Sequence, residues 1–317
     1  MNALKLSGGY MTTKLSIRHA WIELTLGCNL SCIHCYNESG SQHISGKPLT
    51  LQQYKKLLTD LYQGGCSSIQ FIGGEPTLSK NFDELVAFAG GLHFGKLEVF
   101  SNLTHLSEKH VSLFAEHAVS LACSFYSYRA KVHDQVTKRR GSHKRTVAGI
   151  CRVLSSDIPL RVGIIRIPGV NDDHIERTYK YLENLGVSNI SIDDVRAFGR
   201  ASSENREPNQ LLSQLCGRCA DESICVDPAG QIYPCVMSRH WAIGSIDEEG
   251  IDVISMSERW TDFRELLHGQ RKEEISYIAN CGPQDHCGPG ACKPQMGGPP
   301  YCAPQTRCMP DLFMVTQ

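Results

Sequence analysis

Residues 26–39 read LGCNLSCIHCYNES, which places Cys28, Cys32 and Cys35 within eight positions at the spacing C-x3-C-x2-C. Three thiols are one short of a tetrahedral zinc site, and an odd number cannot all pair as disulfides. Thiolates on one short loop can instead hold three irons of a [4Fe–4S] cluster and leave the fourth iron open to a non-protein ligand. The competing chemistry is zinc completed by His34 or His43, or cysteines that only pack.

The other cysteines are unevenly spread. Nine fall between Cys216 and Cys308, and Cys66, Cys123 and Cys151 stand apart and are expected to be small core residues rather than ligands. No run of about 18 apolar residues exists, so no transmembrane helix is expected. The N-terminal MNALKLSGGYMTTKLSIRHAW lacks the apolar core and cleavage site of a signal peptide. These features predict a cytoplasmic protein with no membrane association. Cytosolic thiols stay reduced, so 15 cysteines point to metal or cluster ligation rather than disulfides. A net charge of −1 removes the electrostatic case for a nucleic-acid partner. The basic run TKRRGSHKR at 137–145 is a local exception that reads as solvated surface.

Stretches at 20–26, 68–74, 96–102, 119–125, 160–167 and 188–195 read as buried strands. Between them lie helical patterns, such as TLQQYKKLLTDLYQGG at 50–65, where Leu51, Tyr54, Leu57, Leu58 and Leu61 share one face. Six strands separated by five helical segments predict a parallel β/α domain. The cysteine triplet follows the first strand, at the end where such domains place their active sites. ASSENREPNQLLSQ, in the 201–215 stretch, reads as a polar linker. Beyond it, apart from a helix around SERWTDFRELLHG, glycine, proline and cysteine dominate. The segment 281–308 has too few large apolar residues to hold itself together without a covalent or metallic staple.

CNLSCIHC, with GGEPT at 73–77 after the second strand, resembles the radical S-adenosylmethionine (SAM) superfamily over residues 18–200. His34 stands where many members carry an aromatic residue. The resemblance implies a partial (β/α)6 TIM-like barrel in which Cys28, Cys32 and Cys35 hold a [4Fe–4S] cluster that binds SAM. The GGEPT stretch would line the methionyl amine. Gly73 and Gly74 permit close backbone approach, Glu75 can accept from an ammonium, and Pro76 fixes the turn. By the same resemblance Asn102 would contact the ribose, Ser124 the ribose or carboxylate, and Arg140 the carboxylate. Ile165, within GIIRI, would support the adenine. The implied chemistry is one-electron cleavage of SAM to methionine and a 5′-deoxyadenosyl radical, which takes hydrogen from the substrate. The electron donor would be a flavodoxin or ferredoxin. If Ser124 faces the barrel interior, its neighbour Cys123 points towards the helices.

Residues 216–317 resemble the SPASM extension of radical SAM peptide-modifying enzymes, best in DPAGQIYPC at 227–235. That resemblance implies one or two auxiliary [4Fe–4S] clusters drawing on Cys216, Cys219, Cys225, Cys235, Cys281, Cys287, Cys292, Cys302 and Cys308. The second cysteine group runs C-x5-C-x4-C, whereas the family pattern is C-x2-C-x5-C-x3-C. The substrate implied is a ribosomally made peptide, to be crosslinked, given a thioether, epimerised or dehydrogenated. The alternative is a radical SAM dehydrogenase or decarboxylase acting on a sugar, nucleoside or aminoglycoside precursor. Asp193, Asp194, Arg196 and Arg200, at and after the sixth strand, are candidates for substrate contact or for surface ion pairs.

Overall fold

The computed structural model describes residues 17–40, 47–202, 211–217, 219, 221–246 and 257–279, with side chains of the last helix to 269. Cys281, Cys287, Cys292, Cys302 and Cys308, and His43, lie outside the described residues.

Six strands, β1 (His19–Glu23), β2 (Ser68–Ile72), β3 (Lys96–Phe100), β4 (Ser120–Phe125), β5 (Leu160–Arg166) and β6 (Asn189–Asp194), pair in parallel in chain order. Side chains alternate between the two faces of each strand. Ile22, Phe71, Val99, Leu121, Cys123 and Val162 lie fully buried in the main core. The helices α1 (Leu51–Gln63), α2 (Phe82–Gly91), α3 (Glu108–Glu116), α5 (Ser142–Leu154) and α6 (Ile175–Asn184) supply its other half. Helix α1 starts at a capping box, Thr50 with Gln53, and buries Tyr54, Leu57, Leu58 and Leu61, as its spacing predicts. Helix α4 (Ala130–Thr137) was not predicted: its eight residues, AKVHDQVT, are too few to display a clear apolar period, and they run directly into the basic segment that follows.

The opposite face of the strands is polar and concave. Near its floor the buried carboxylate of Glu98 accepts from Arg161 at 3.1 and 2.8 Å, from Lys96 at 3.0 Å and from Gln70. Burial alone would raise the Glu98 carboxyl, but Arg161 and Lys96 overcome it and hold the group below its ordinary range.

The sheet does not close, because β6 finds no partner in β1. The free side of β1 instead receives β7 (Ser223–Val226), parallel, with His19 opposite Ser223 and Ile22 opposite Val226. Strands β8 (Gln231–Tyr233) and β9 (Gly244–Ser245) continue antiparallel. The cysteine-rich C-terminal region therefore begins as an extension of the barrel sheet. Leu211 and Leu212, at the end of the stretch expected as a linker, are 2% exposed and belong to the main core. Helix α7 (Glu258–Ala279) adds Trp260, Phe263 and Leu267 to it.

A buried ion pair fastens this junction. Glu23, at the end of β1 and 0% exposed, pairs with Arg239, whose guanidinium carbon sits 5.9 Å from the centre of the Tyr36 ring and 5.7 Å from that of Tyr233. Burial works against the charge on Arg239, and Glu23 more than offsets it, keeping the guanidinium protonated. Replacing Arg239 by Met leaves Glu23 buried without its counter-charge, a loss of about 3–5 kcal/mol. Chemical denaturation of the Arg239→Met variant should show that loss. The double variant Glu23→Gln, Arg239→Met should recover part of it.

Candidate active site

The chain leaves β1 and enters the loop carrying the three cysteines, all half-buried and free. Each sulfur has a polar neighbour. Leu30 N–H donates to Cys28 Sγ at 3.4 Å, Ser39 N–H to Cys35 Sγ at 3.4 Å, and the Tyr126 hydroxyl lies 4.0 Å from Cys32 Sγ. Burial pushes the Cys28 thiol up to about 11 and the Cys32 thiol up to about 12, with the neighbouring cysteines adding to both. Such thiols become thiolates when a cationic centre compensates them. Among the described residues no three His, Cys, Asp or Glu side chains converge on a single-ion site. The triplet suits a cluster better, since each cysteine then binds a different iron. His34 does not turn towards the sulfurs as a fourth ligand: its ring stacks edge-on against Tyr126 at 5.0 Å, and burial lowers it to about 4.

Three neighbours shape the loop. The first is GGEPT at the end of β2. Gly74 N–H donates to Thr25 O at 2.7 Å, Glu75 N–H to Gly27 O at 2.8 Å, and Asn37 Nδ2 to Gly73 O at 3.2 Å. A Cβ on Gly74 would run into the Gly27 carbonyl. The close approach these glycines permit is thus to the cysteine loop itself. The second neighbour is α4, whose Thr137 and Val136 carbonyls accept from Ser31 N–H at 3.0 Å and Ile33 N–H at 2.9 Å. The third is Arg200. Its Nε donates to Cys32 O and its Nη1 to Ser39 O, both at 2.8 Å, and its backbone N–H donates to Cys35 O at 3.0 Å. Gly199, at φ +53°, leaves no room for a Cβ beneath the Cys35 and Tyr36 carbonyls.

Glu75 is 1% exposed, and its carboxylate already accepts four hydrogen bonds. Oε1 takes the Thr77 hydroxyl at 2.7 Å, Thr77 N–H at 3.3 Å and the Ser101 hydroxyl at 2.8 Å; Oε2 takes Asn102 N–H at 2.8 Å. It joins the β2 and β3 ends. Pro76 opens a short 3-10 turn after it. Asn102 is engaged too: Nδ2 donates to Asn29 Oδ1 at 2.8 Å and lies 3.9 Å from Cys28 Sγ, while Oδ1 accepts from Thr104. The Asn102 side chain therefore faces the cysteine loop.

On the concave face Ser124 pairs with Gly163, and Gly163 with Ser191. The nearest neighbours of a Cβ on Gly163 would be Ser191 Oγ, Asp193 Oδ2 and Ile165 Cδ1, all at ordinary contact distances of 3.6–3.9 Å. Small residues on adjacent strands leave a recess there. Ile165 packs with Tyr126, Val136, Ile167 and the loop residue Ile33. Arg140 is exposed at the turn between α4 and α5. Cys123 is buried in the helix-facing core, on the opposite side of β4 from Ser124.

In the C-terminal region Cys219 and Cys235 stand 3.1 Å apart, with Cys216 beside Cys219. Cys225 is buried on β7, opposite Trp21 of β1 and Tyr233 of β8. Sequence reasoning missed Arg239 and Asn37 and left Arg200 as a candidate for substrate contact or for a surface ion pair, whereas its side chain holds the cysteine loop. Gly199 before Arg200 was the one available hint of close packing there.

Comparison with known proteins bears on this arrangement. Residues 22–182 match the radical SAM superfamily, and residues 216–287 match SPASM, an iron–sulfur cluster-binding domain. The chain belongs to the radical SAM superfamily and carries a SPASM domain. Its cofactors are accordingly SAM, a [4Fe–4S] cluster and auxiliary iron–sulfur chemistry. It is 28% identical to a probable GTP 3′,8-cyclase of Methanocella arvoryzae, over 64% of this chain and 65% of that protein. It is 24% identical to the antilisterial bacteriocin subtilosin biosynthesis protein AlbA of Bacillus subtilis, over 74% of this chain and 59% of that one. The chain thus spans about three fifths of these curated relatives. The crystal structure of Streptococcus suis SuiB bound to precursor peptide SuiA shares the fold, with a TM-score of 0.66 at 12% identity over 79% of this chain and 67% of that one. No described helix is long and apolar enough to cross a membrane.

Arg200→Met removes two charge-assisted hydrogen bonds from the loop. Anaerobic reconstitution followed by iron and sulfide analysis should give fewer irons per chain than wild type, with Arg200→Lys intermediate because an ammonium lacks the planar fork.

Proposed function

We propose that this protein cleaves SAM reductively and uses the resulting 5′-deoxyadenosyl radical to modify a ribosomally made peptide. The observation that carries the reading is a loop of three neighbouring free thiols, with no fourth protein ligand beside it among the described residues, at the C-terminal end of the first strand of a parallel β/α sheet. Cys28, Cys32 and Cys35 would hold the cluster, which would supply the one-electron chemistry for breaking a carbon–sulfur bond of SAM. The protein's own residues bind, orient and shield. Asn37, Arg200 and the α4 carbonyls hold the loop in one shape. Glu75 locks the β2 and β3 ends beside it, and the recess at Ser124 and Gly163 offers room for the adenosyl group. Exposed Arg140 is a candidate for the SAM carboxylate. Cys216, Cys219, Cys225 and Cys235 are the candidates to contribute to an auxiliary cluster, and the 3.1 Å approach of Cys219 to Cys235 supports that reading.

A peptide substrate is supported by the likeness to a bacteriocin biosynthesis protein and to an enzyme captured with its precursor peptide. The likeness to a GTP cyclase supports the second reading, radical chemistry on a nucleoside, sugar or aminoglycoside precursor. Cytoplasmic location and a flavodoxin or ferredoxin as reductant belong to the same proposal.

Replacing Cys28, Cys32 and Cys35 together by Ala should abolish 5′-deoxyadenosine formation under dithionite, while the protein retains part of its iron in the C-terminal region. SAM cleavage persisting in that variant would overturn the assignment. Mass spectrometry of candidate precursor peptides against small-molecule substrates then separates the two readings.

A further inference from the structure

Neither the fold nor the candidate site uses most of the basic run around residue 140. Between Ala130 and Arg145 the chain carries six cations, Lys131, Lys138, Arg139, Arg140, Lys144 and Arg145, against a single carboxylate, Asp134, in a protein whose net charge is −1. All six are exposed. Lys55, Lys56, Lys109 and Lys180 on other helices, and Arg152 in the last turn of α5, each have an acidic partner; among the described residues these six have none. Asp134 is spent elsewhere, accepting from Gly141 N–H at 2.5 Å and from the Ser142 hydroxyl and His143 N–H at 2.9 Å. Lys144 and Arg145 also occupy the first turn of α5, which contains no acidic residue. The helix dipole disfavours cations there. Stability alone would select carboxylates at both positions.

This knuckle adjoins the cysteine loop. Thr137, which accepts from Ser31 N–H, immediately precedes Lys138, and Ser31 immediately precedes Cys32. Tyr126, 4.0 Å from Cys32 Sγ, packs against Val136 in the same small cluster. The knuckle belongs to the helical layer, whereas a substrate must reach the concave face to meet the adenosyl group. An electron needs only a short path to the sulfurs. We propose that the basic knuckle at the α4–α5 turn docks the one-electron donor, a small carrier protein with an acidic surface, beside Cys32.

The inference rests on the radical SAM reading of the triplet. Each docking event oxidises the carrier by one electron. That electron, received by the centre at Cys28, Cys32 and Cys35, breaks one carbon–sulfur bond of SAM to give methionine and the deoxyadenosyl radical. Electrostatic steering makes such encounters fast at low salt and slow when the charges are screened.

The test compares two reductants on the reconstituted enzyme: dithionite, which needs no docking, and an acidic flavodoxin kept reduced by its NADPH-dependent reductase. The variant is Lys144→Glu, Arg145→Glu; Arg140 is left intact as the SAM carboxylate candidate. Flavodoxin-driven deoxyadenosine formation at low salt should fall about tenfold or more, dithionite-driven formation should match wild type, and the melting temperature should hold or rise. The same charge reversal at Lys56 and Lys180 should change neither rate. Unchanged flavodoxin-driven rates overturn the proposal. So does a parallel loss with dithionite, which assigns the knuckle to SAM, or a loss confined to peptide binding, which assigns it to the substrate. A wild-type enzyme that fails to cleave SAM under dithionite overturns the radical SAM reading of the site itself.

Discussion

The loop that carries Cys28, Cys32 and Cys35 has no regular secondary structure, so its shape depends on the backbone hydrogen bonds that neighbouring elements make to it. Those bonds come from distant parts of the chain: β2 through Gly74 and Glu75, α4 through Val136 and Thr137, and the segment after β6 through Arg200. Each is short and two involve main-chain groups alone, which leaves little freedom for the sulfurs to drift. A site that must present three thiolates at fixed separations needs such preorganisation, because side-chain packing by itself would leave a cysteine loop of this length floppy.

Charge is buried at both ends of the concave face, and it serves geometry in each case. Glu98 of β3 gathers Lys96 of its own strand, Gln70 of the neighbouring β2 and Arg161 of β5, one strand beyond β4, and so fixes the spacing of these strands at the floor. Glu23 reaches across to Arg239 and ties the end of β1 to the C-terminal region. Buried ion pairs contribute modestly to net stability because desolvation offsets their attraction. Their value here is registry between elements that apolar packing would let slide. The same junction puts Cys225 of β7 in the sheet beside β1, so any auxiliary centre near Cys216, Cys219 and Cys235 is referenced to the strand that launches the cysteine triplet.

The six parallel strands and five of their helices were legible in the sequence because apolar runs of strand length and helical spacing such as Leu57, Leu58 and Leu61 are local signals. The triplet and GGEPT were legible because their chemistry lies in residue type and spacing. The partners of those residues were not. Nothing local announces that Glu75 bonds Asn102, that Asn102 faces Cys28, or that Arg200 reaches back to Cys32, since these contacts join positions 27 to 168 residues apart. β7 was hidden for a related reason. Its four residues, Ser223–Val226, include a cysteine and are too few to display a period, so only its pairing with β1 defines it as a strand.

That pairing has a consequence for how the chain is made. His19 of β1 finds its neighbour on one side at Ser68 but on the other only at Ser223. At a synthesis rate of about 5–20 residues per second, one edge of β1 stays uncovered for roughly 10–40 s after it emerges. Exposed strand edges recruit wrong partners. The nascent protein therefore passes through an interval in which the strand leading into its reactive loop is open to misassembly, and the arrival of the C-terminal region ends that interval. In this chain the SPASM segment acts as the last stave of the sheet, so truncation upstream of Ser223 would strip cover from the radical SAM half as well.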